Sequence, residues 1–237
     1  MKIRNRLLAS AISLLCVAGA ASADPPIGSR LGDRTTRDPE KRERESALGA
    51  QEMARCLVNK QNNIVRQYLG SLDKTESDRL DRKMDGEHEC FNMAEGNDLV
   101  EGRVVTFPRD IFRGMLAEWM IKSDDRTFTV LPALPRQLTY SRVWYDLTGR
   151  DVSVDEMATC VSETAPAETL ALLRTVPYSD AEGAAFGGLG PSLGACLRAG
   201  VKVTGNRQSL RAALADGLYQ RIANPPPPLP ATAPPRK

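Results

Sequence analysis

One histidine, five cysteines and an aromatic content of 5% are all this 237-residue chain offers of the side chains on which many active sites are built. The shortages exclude whole classes of chemistry. A Ser-His-Asp triad would have to use His88, and no G-x-S-x-G turn is present to present a serine. Ser71-Leu-Asp-Lys74 fits S-x-x-K but lacks its S-D-N and K-T-G companions. His88 has Asp85, Glu87 and Glu89 as neighbours, whereas a firm zinc site needs several His or Cys ligands. Asp73–Asp85 alternates like an EF-hand, with Asp78 at the glycine position and Met84 at that of the bidentate glutamate. "GGLGPSLG" at 187–194 lacks G-x-G-x-x-G spacing and contains Pro191, so it reads as a loop joining two helices. No catalytic residue, metal site or cofactor is assigned.

The chain also lacks a long apolar run and an excess of charge. The one apolar stretch, Leu7 to Ala20, is short for a membrane span. It follows Lys2, Arg4 and Arg6 and precedes Ala21-Ser22-Ala23, which together read as a secretory signal cleaved between Ala23 and Asp24. Cys16 lies within it after Leu15, where lipoprotein processing requires a small residue. Residues 1–23 hold three of the 32 Lys and Arg and none of the 30 Asp and Glu, leaving 29 against 30. A mature chain of net −1 has no field to attract nucleic acid or anionic lipid, and no integral membrane span is expected in it.

Export gives the remaining Cys56, Cys90, Cys160 and Cys196 a structural meaning, because an even count in an oxidising compartment suggests two disulfides. Three pairings are possible. "EMARC" at 52–56 and "EMATC" at 156–160 hint at internal repetition. Each is followed by a stretch with apolar residues, "NNIVRQYLG" and "SETAPAETLALLRTV", then a polar turn-rich stretch and a second cysteine. Each then reaches a helical pattern, "IFRGMLAEWMI" at 111–121 and "SLRAALADGLY" at 209–219. Placing Arg113 on Arg211 aligns Leu116 with Leu214 and Ala117 with Ala215. A tandem duplication makes Cys56–Cys90 and Cys160–Cys196 the simplest pairing, while crossed pairings remain compatible with it.

The expected fold is therefore all-α: two tandem related helical modules, each with an internal disulfide, joined by an extended connector. The sequence divides into a signal (1–23), a charged arm expected to be disordered (24–45), module 1 (46–122), the connector (123–150), module 2 (151–223) and a proline-rich tail (224–237). Met53, Cys56 and Leu57 share one helical face, as do Met157, Cys160 and Val161. A second helix is expected after a cap at Asn62 or Asn63, and in the other copy from Pro166. Third helices are expected at Thr75–Met84 and Ser179–Phe186. Phe112, Leu116, Trp119 and Met120 form one closing stripe; Leu210, Leu214, Leu218 and Ile222 form the other, capped by Asn206. In the connector, Thr127–Leu131 and Leu138–Trp144 have some strand character, but Pro132 and Pro135 argue against a central strand, so it reads as extended, with Val143, Trp144 and Tyr145 expected to pack on a module. Trp119 and Tyr219, near the ends of the closing helices, are expected to pack into the core, with a groove lined by the two as the alternative.

The pattern MA-x-C-V/L, a leucine-rich second helix, a second cysteine and a closing LR-x-A-L-A-x-x-L-Y resembles small exported proteins of alphaproteobacteria, sphingomonads especially. The resemblance covers residues 46–122 and 140–222. It implies export, helices and the cysteine pattern, and carries no activity. The functional expectation is an exported, periplasmic or secreted, non-catalytic binding or envelope-associated protein whose partner is an unknown protein or envelope component. A motif-less periplasmic hydrolase using carboxylates, or a small-molecule or metal carrier, is the alternative.

Overall fold

The computed structural model describes residues 39–93, 108–198, 200–201 and 206–226. The segment expected to be a signal and most of the charged arm and proline-rich tail lie outside them. Among the described residues there are nine α-helices, one 3-10 helix and no strand. The first half contains α1 (Pro39–Gly70), α2 (Lys74–Asp85), α3 (His88–Met93) and α4 (Arg109–Ser123). The connector holds α5 (Asp125–Thr129) and the 3-10 turn Val143–Leu147, and the second half contains α6 (Val152–Thr164), α7 (Pro166–Leu173), α8 (Asp180–Cys196) and α9 (Arg207–Ala223).

Local signals explain most of the boundaries. Four helices start at side chains that accept from an otherwise unpaired backbone N–H. Asp73 accepts from Glu76 at 2.7 Å, Asp151 from Ser153 at 2.8 Å, Ser179 from Glu182 at 3.1 Å and Asn206 from Ser209 at 2.8 Å. Pro166 opens α7, where its missing N–H removes nothing. Helix α1 begins at Pro39, ahead of the expected start at Ser46. It kinks at Gln61 (φ −127°, ψ 35°), the point where a separate helix capped at Asn62 or Asn63 was expected.

The cysteines pair as Cys56–Cys90 and Cys160–Cys196, with Cα separations of 5.5 and 5.6 Å. Each bond closes a loop inside one half, worth about 4 kcal/mol in the chain-entropy account. The fold is thus all-α, with two tandem helical modules, each locked by its own disulfide, and an irregular extended stretch at 131–142 between them. Bonds to the second half hold that stretch, Gln137 to the Glu163 carboxylate at 3.0 Å among them. Leu134 N–H donates to the Glu163 carbonyl at 2.7 Å, Arg221 to the Pro132 carbonyl at 2.8 Å, and Arg142 to the Glu163 carboxylate at 2.6 Å.

The two halves share a core. Helices α4 and α9 pack on each other at the centre; α1 flanks α4, while α6 and α7 flank α9. The larger apolar cluster joins Met53, Leu57, Tyr68, Leu116 and Ile121 of the first half to Leu170, Leu173, Leu218 and Tyr219 of the second. A smaller cluster, with Met157, Val161, Leu172, Leu189 and Leu214, lies under α8.

Four local expectations change. "GGLGPSLG" is helical, because α8 continues through Pro191 to Cys196. Its apolar residues Phe186, Leu189, Leu193 and Cys196 recur at helical spacing and pack with the α6 cluster, while Gly187, Gly188, Gly190 and Pro191 face outward. Thr127–Leu131, expected within the extended connector, is mostly helical; α5 covers most of it and buries Phe128 against Tyr219, ring centroids 6.2 Å apart. Trp144 and Tyr145 are buried as expected, but Val143 is 69% exposed because the 3-10 turn points it away. Ile222 leaves the α9 stripe, at 43% exposure.

Candidate functional site

Arg113 and Arg211 are the two largest fully buried side chains. Arg113, on α4, donates from Nε to Asp216 on α9 at 2.8 Å. Arg211, on α9, donates from Nε and Nη2 to Glu118 on α4 at 2.8 and 2.7 Å. Arg113 and Arg211 lie 98 positions apart, as do Glu118 and Asp216, so the pairs are reciprocal. Both arginines also reach the C-terminal carbonyls of a neighbouring helix, which lack intrahelical donors. Arg113 meets Leu69 at 2.8 Å and Arg211 meets Leu173 at 2.9 Å. Between the pairs Gly114 lies against Ala212: a Cβ on Gly114 would sit 2.3 Å from the Ala212 carbonyl oxygen.

A second set of partners completes each carboxylate. Gln51 donates to Glu118 at 3.1 Å and Lys122 donates to it at 2.6 Å. Position 51 corresponds to 155 at the spacing that relates Cys56 to Cys160. Position 155 is an aspartate, which would repel Asp216 if they met directly. Arg150 stands between them, 2.7 Å from Asp155 and 2.5 Å from Asp216. Gln220 donates to Asp216 at 3.1 Å, four residues away along α9, as Lys122 does to Glu118 along α4. Arg211 further binds Glu182 at 2.8 Å.

Burial opposes ionisation of both acids, but the arginines outweigh it. Arg211 and Lys122 hold Glu118 below the usual glutamate range, and Arg113 and Arg150 hold Asp216 below the usual aspartate range. Asp155 goes the other way, pushed up by burial despite Arg150 and Thr148. Each buried acid is ion-paired and hydrogen-bonded. The network joins helices α4, α6 and α9.

Space for a ligand lies beside this network. A cleft of about 470 Å³ opens between the starts of α4, α6 and α9 and the end of α8. Val154 and Met157 of α6, Leu193 and Leu197 at the end of α8, and Leu210 of α9 supply its aliphatic walls. Asp110, Asp151, Arg150 and Ser209 supply its polar edge, and Gly149 (φ +75°) makes the turn that carries Arg150 and Asp151 there. Arg150 is already held by Asp155, Asp216 and the Asp110 carbonyl, and Asp151 is occupied in capping α6. Aliphatic surface therefore dominates what the cleft offers a ligand.

The residues singled out in the sequence fall elsewhere. Tyr219 lines a different cleft of about 240 Å³, with Arg66, Met120, Asp124 and Phe128, and burial pushes its hydroxyl pKa up. Trp119 is not among the walls of that cleft. Its ring lies 4.7 Å from the Lys122 ammonium and 6.0 Å from the Arg55 guanidinium, so the two aromatics are not brought to one groove. His88 is exposed at the start of α3, and among the described residues no group of three or more His, Cys, Asp or Glu could hold a metal ion. The buried network was missed, although its signal was present: R-x-x-L-A-E/D occurs at 113–118 and 211–216, with opposite charges inside apolar stripes.

Fold and cleft define an all-helical, doubly disulfide-locked protein with an aliphatic cleft. Compared with family models, curated proteins and solved structures, the chain matches none.

Proposed function

We propose that this is an exported binding protein without chemistry of its own, whose cleft between α6, α8 and α9 takes an aliphatic group. The cleft carries the reading. Five aliphatic side chains line about 470 Å³, within the size range of small-molecule sites, and the charged groups beside them are largely engaged within the protein. Two disulfides suit a chain that folds outside the reducing cytoplasm. Cleavage between Ala23 and Asp24 belongs to the same proposal, and N-terminal sequencing of the exported product tests it. Descent of the two halves from one duplicated unit is also proposed, supported by the reciprocal Arg113–Asp216 and Arg211–Glu118 pairs.

The test is titration of the purified chain with cis-parinarate, whose fluorescence rises in apolar surroundings. Saturable uptake is expected, displaced by decanol and abolished by either Leu197→Arg or Leu210→Arg in a folded variant. Absence of saturable uptake, or equal uptake by both folded arginine variants, overturns the reading.

A further inference from the structure

Helix α8 is built unlike its neighbours. Five of its 17 residues are glycine, and Pro191 lies inside it. Glycine and proline are the two weakest helix formers. Glycines in a helix usually answer a close approach or a positive φ, and these answer neither. Around Gly183, Gly187, Gly188, Gly190 and Gly194 nothing lies within 4 Å of where a Cβ would stand, and none of them has positive φ. Pro191 has no N–H for the Gly187 carbonyl, so the ladder is interrupted where Gly187 and Gly188 already weaken it.

The tertiary contacts that keep α8 helical despite this rest mostly on partly buried side chains. Only Glu182 and Leu189 of α8 are fully buried, whereas α4 is buried without a break from Phe112 to Glu118. The start of α8 is fixed by the Ser179 cap and by Glu182 bound to Arg211 at 2.8 Å. Its far end is tethered, through the partly exposed Cys196, to Cys160 buried in α6. Between these anchors the helix supplies Leu193, and just after them Leu197, to the cleft.

We infer that the C-terminal half of α8, from Gly187 to Leu197, is a moving wall of the cleft. It bends outward at Gly187–Pro191 to admit an aliphatic chain and is tethered to α6 by Cys160–Cys196. The inference rests on the reading of the cleft as a site for aliphatic ligands. The glycines are then explained by motion: alanine would fit at Gly187 and Gly188 and would make a firmer, slower wall. Flexible Leu193 and Leu197 side chains and the absence of an aromatic wall suit an acyl or alkyl chain better than a rigid ring.

The test combines hydrogen exchange with stopped-flow cis-parinarate uptake on the full mature chain. In the wild type, amides of 187–197 should exchange much faster than those of α4 and α9. Gly187→Ala combined with Gly188→Ala should slow both that exchange and probe release by about tenfold. Replacing Cys160 and Cys196 together by alanine should speed both while α4 and α9 stay protected; if that variant does not fold, the glycine pair decides alone. Wild-type exchange at 187–197 as slow as in α9 overturns the moving wall, as does slowed exchange with unchanged probe kinetics. Fast α8 exchange slowed by the alanines, with no probe uptake by any form, instead overturns the aliphatic-binding reading and leaves a mobile helix without that role.

Discussion

Replacing Gly114 by alanine removes the condition that lets α4 and α9 meet. The new Cβ would lie 2.3 Å from the Ala212 carbonyl oxygen and 2.4 Å from its Cα and Cβ, and backbone atoms cannot rotate away. Relief requires the helices to separate by about 1 Å, to reach ordinary van der Waals distance. The buried ion pairs on either side stand at 2.8 and 2.7 Å, so the same movement takes them beyond hydrogen-bonding range. Overpacking costs about 1–3 kcal/mol and breaking a buried pair about 3–5 kcal/mol. Alanine's better helix propensity returns only about 1 kcal/mol. With one pair lost, the net destabilisation is about 3–7 kcal/mol, a large share of the total stability of an ordinary domain. Urea unfolding followed by circular dichroism, disulfides intact, should move the midpoint down by more than about 1 M. Gly187→Ala is the control. The substitution is chemically identical but meets nothing within 4 Å, so it should stabilise by about 0.5–1 kcal/mol. A Gly114→Ala variant as stable as the wild type would refute the close crossing.

The other perturbations act on the charges and the sulfurs. Arg211→Met should destabilise more than Arg113→Met in the same urea assay, each by several kcal/mol, because Arg211 leaves both Glu118 and Glu182 buried without it; the reverse order would contradict the geometry. Acidification should act in two steps, read as melting temperature against pH. Asp155 has a raised folded pKa, so its protonation on descending from neutral pH relieves a destabilising term. Glu118 and Asp216 have lowered folded pKa values, so their stabilisation is complete above the ordinary values of 4.5 and 3.8 and is lost as pH falls through the lower folded values. Glu118→Gln should flatten that acid loss, and an unchanged acid limb would count against the pairing. Under native conditions a dithiol should open Cys160–Cys196 before Cys56–Cys90, because Cys196 is half-exposed while Cys56 and Cys90 are buried. Timed alkylation with peptide mapping reads the order, and simultaneous opening would refute it.

Much was legible in the linear chain because it depends on near neighbours. The caps at Asn206 and the opening of α7 at Pro166 are set by side chains beside their own backbone. The burial of Met53, Leu57, Met157 and Val161 follows from a 3.6-residue period. The resemblance between halves made the observed disulfide pairing the simplest of three, and the structure chose it. Pro191 and four glycines suggested a loop at 187–194, yet docking of Phe186, Leu189 and Leu193 on α6 overrides local preference there. Core packing was the favoured reading of Trp119 and Tyr219, and both join the larger apolar cluster; the alternative of one shared groove fails because position along a helix does not say which neighbour each will face.

By itself the sequence determined that this chain is helical and where several of its helices begin, and it made the observed cysteine pairing the simplest of three, since these follow from local bonding and from likeness between segments. Tertiary structure alone decided that four charged side chains would be buried as crossed pairs between α4 and α9, that the halves would share one core, and that an aliphatic cleft would lie beside Arg150. Burying a charge is favourable only when a partner from a distant segment arrives with the right geometry, and a linear chain does not state which segments will meet.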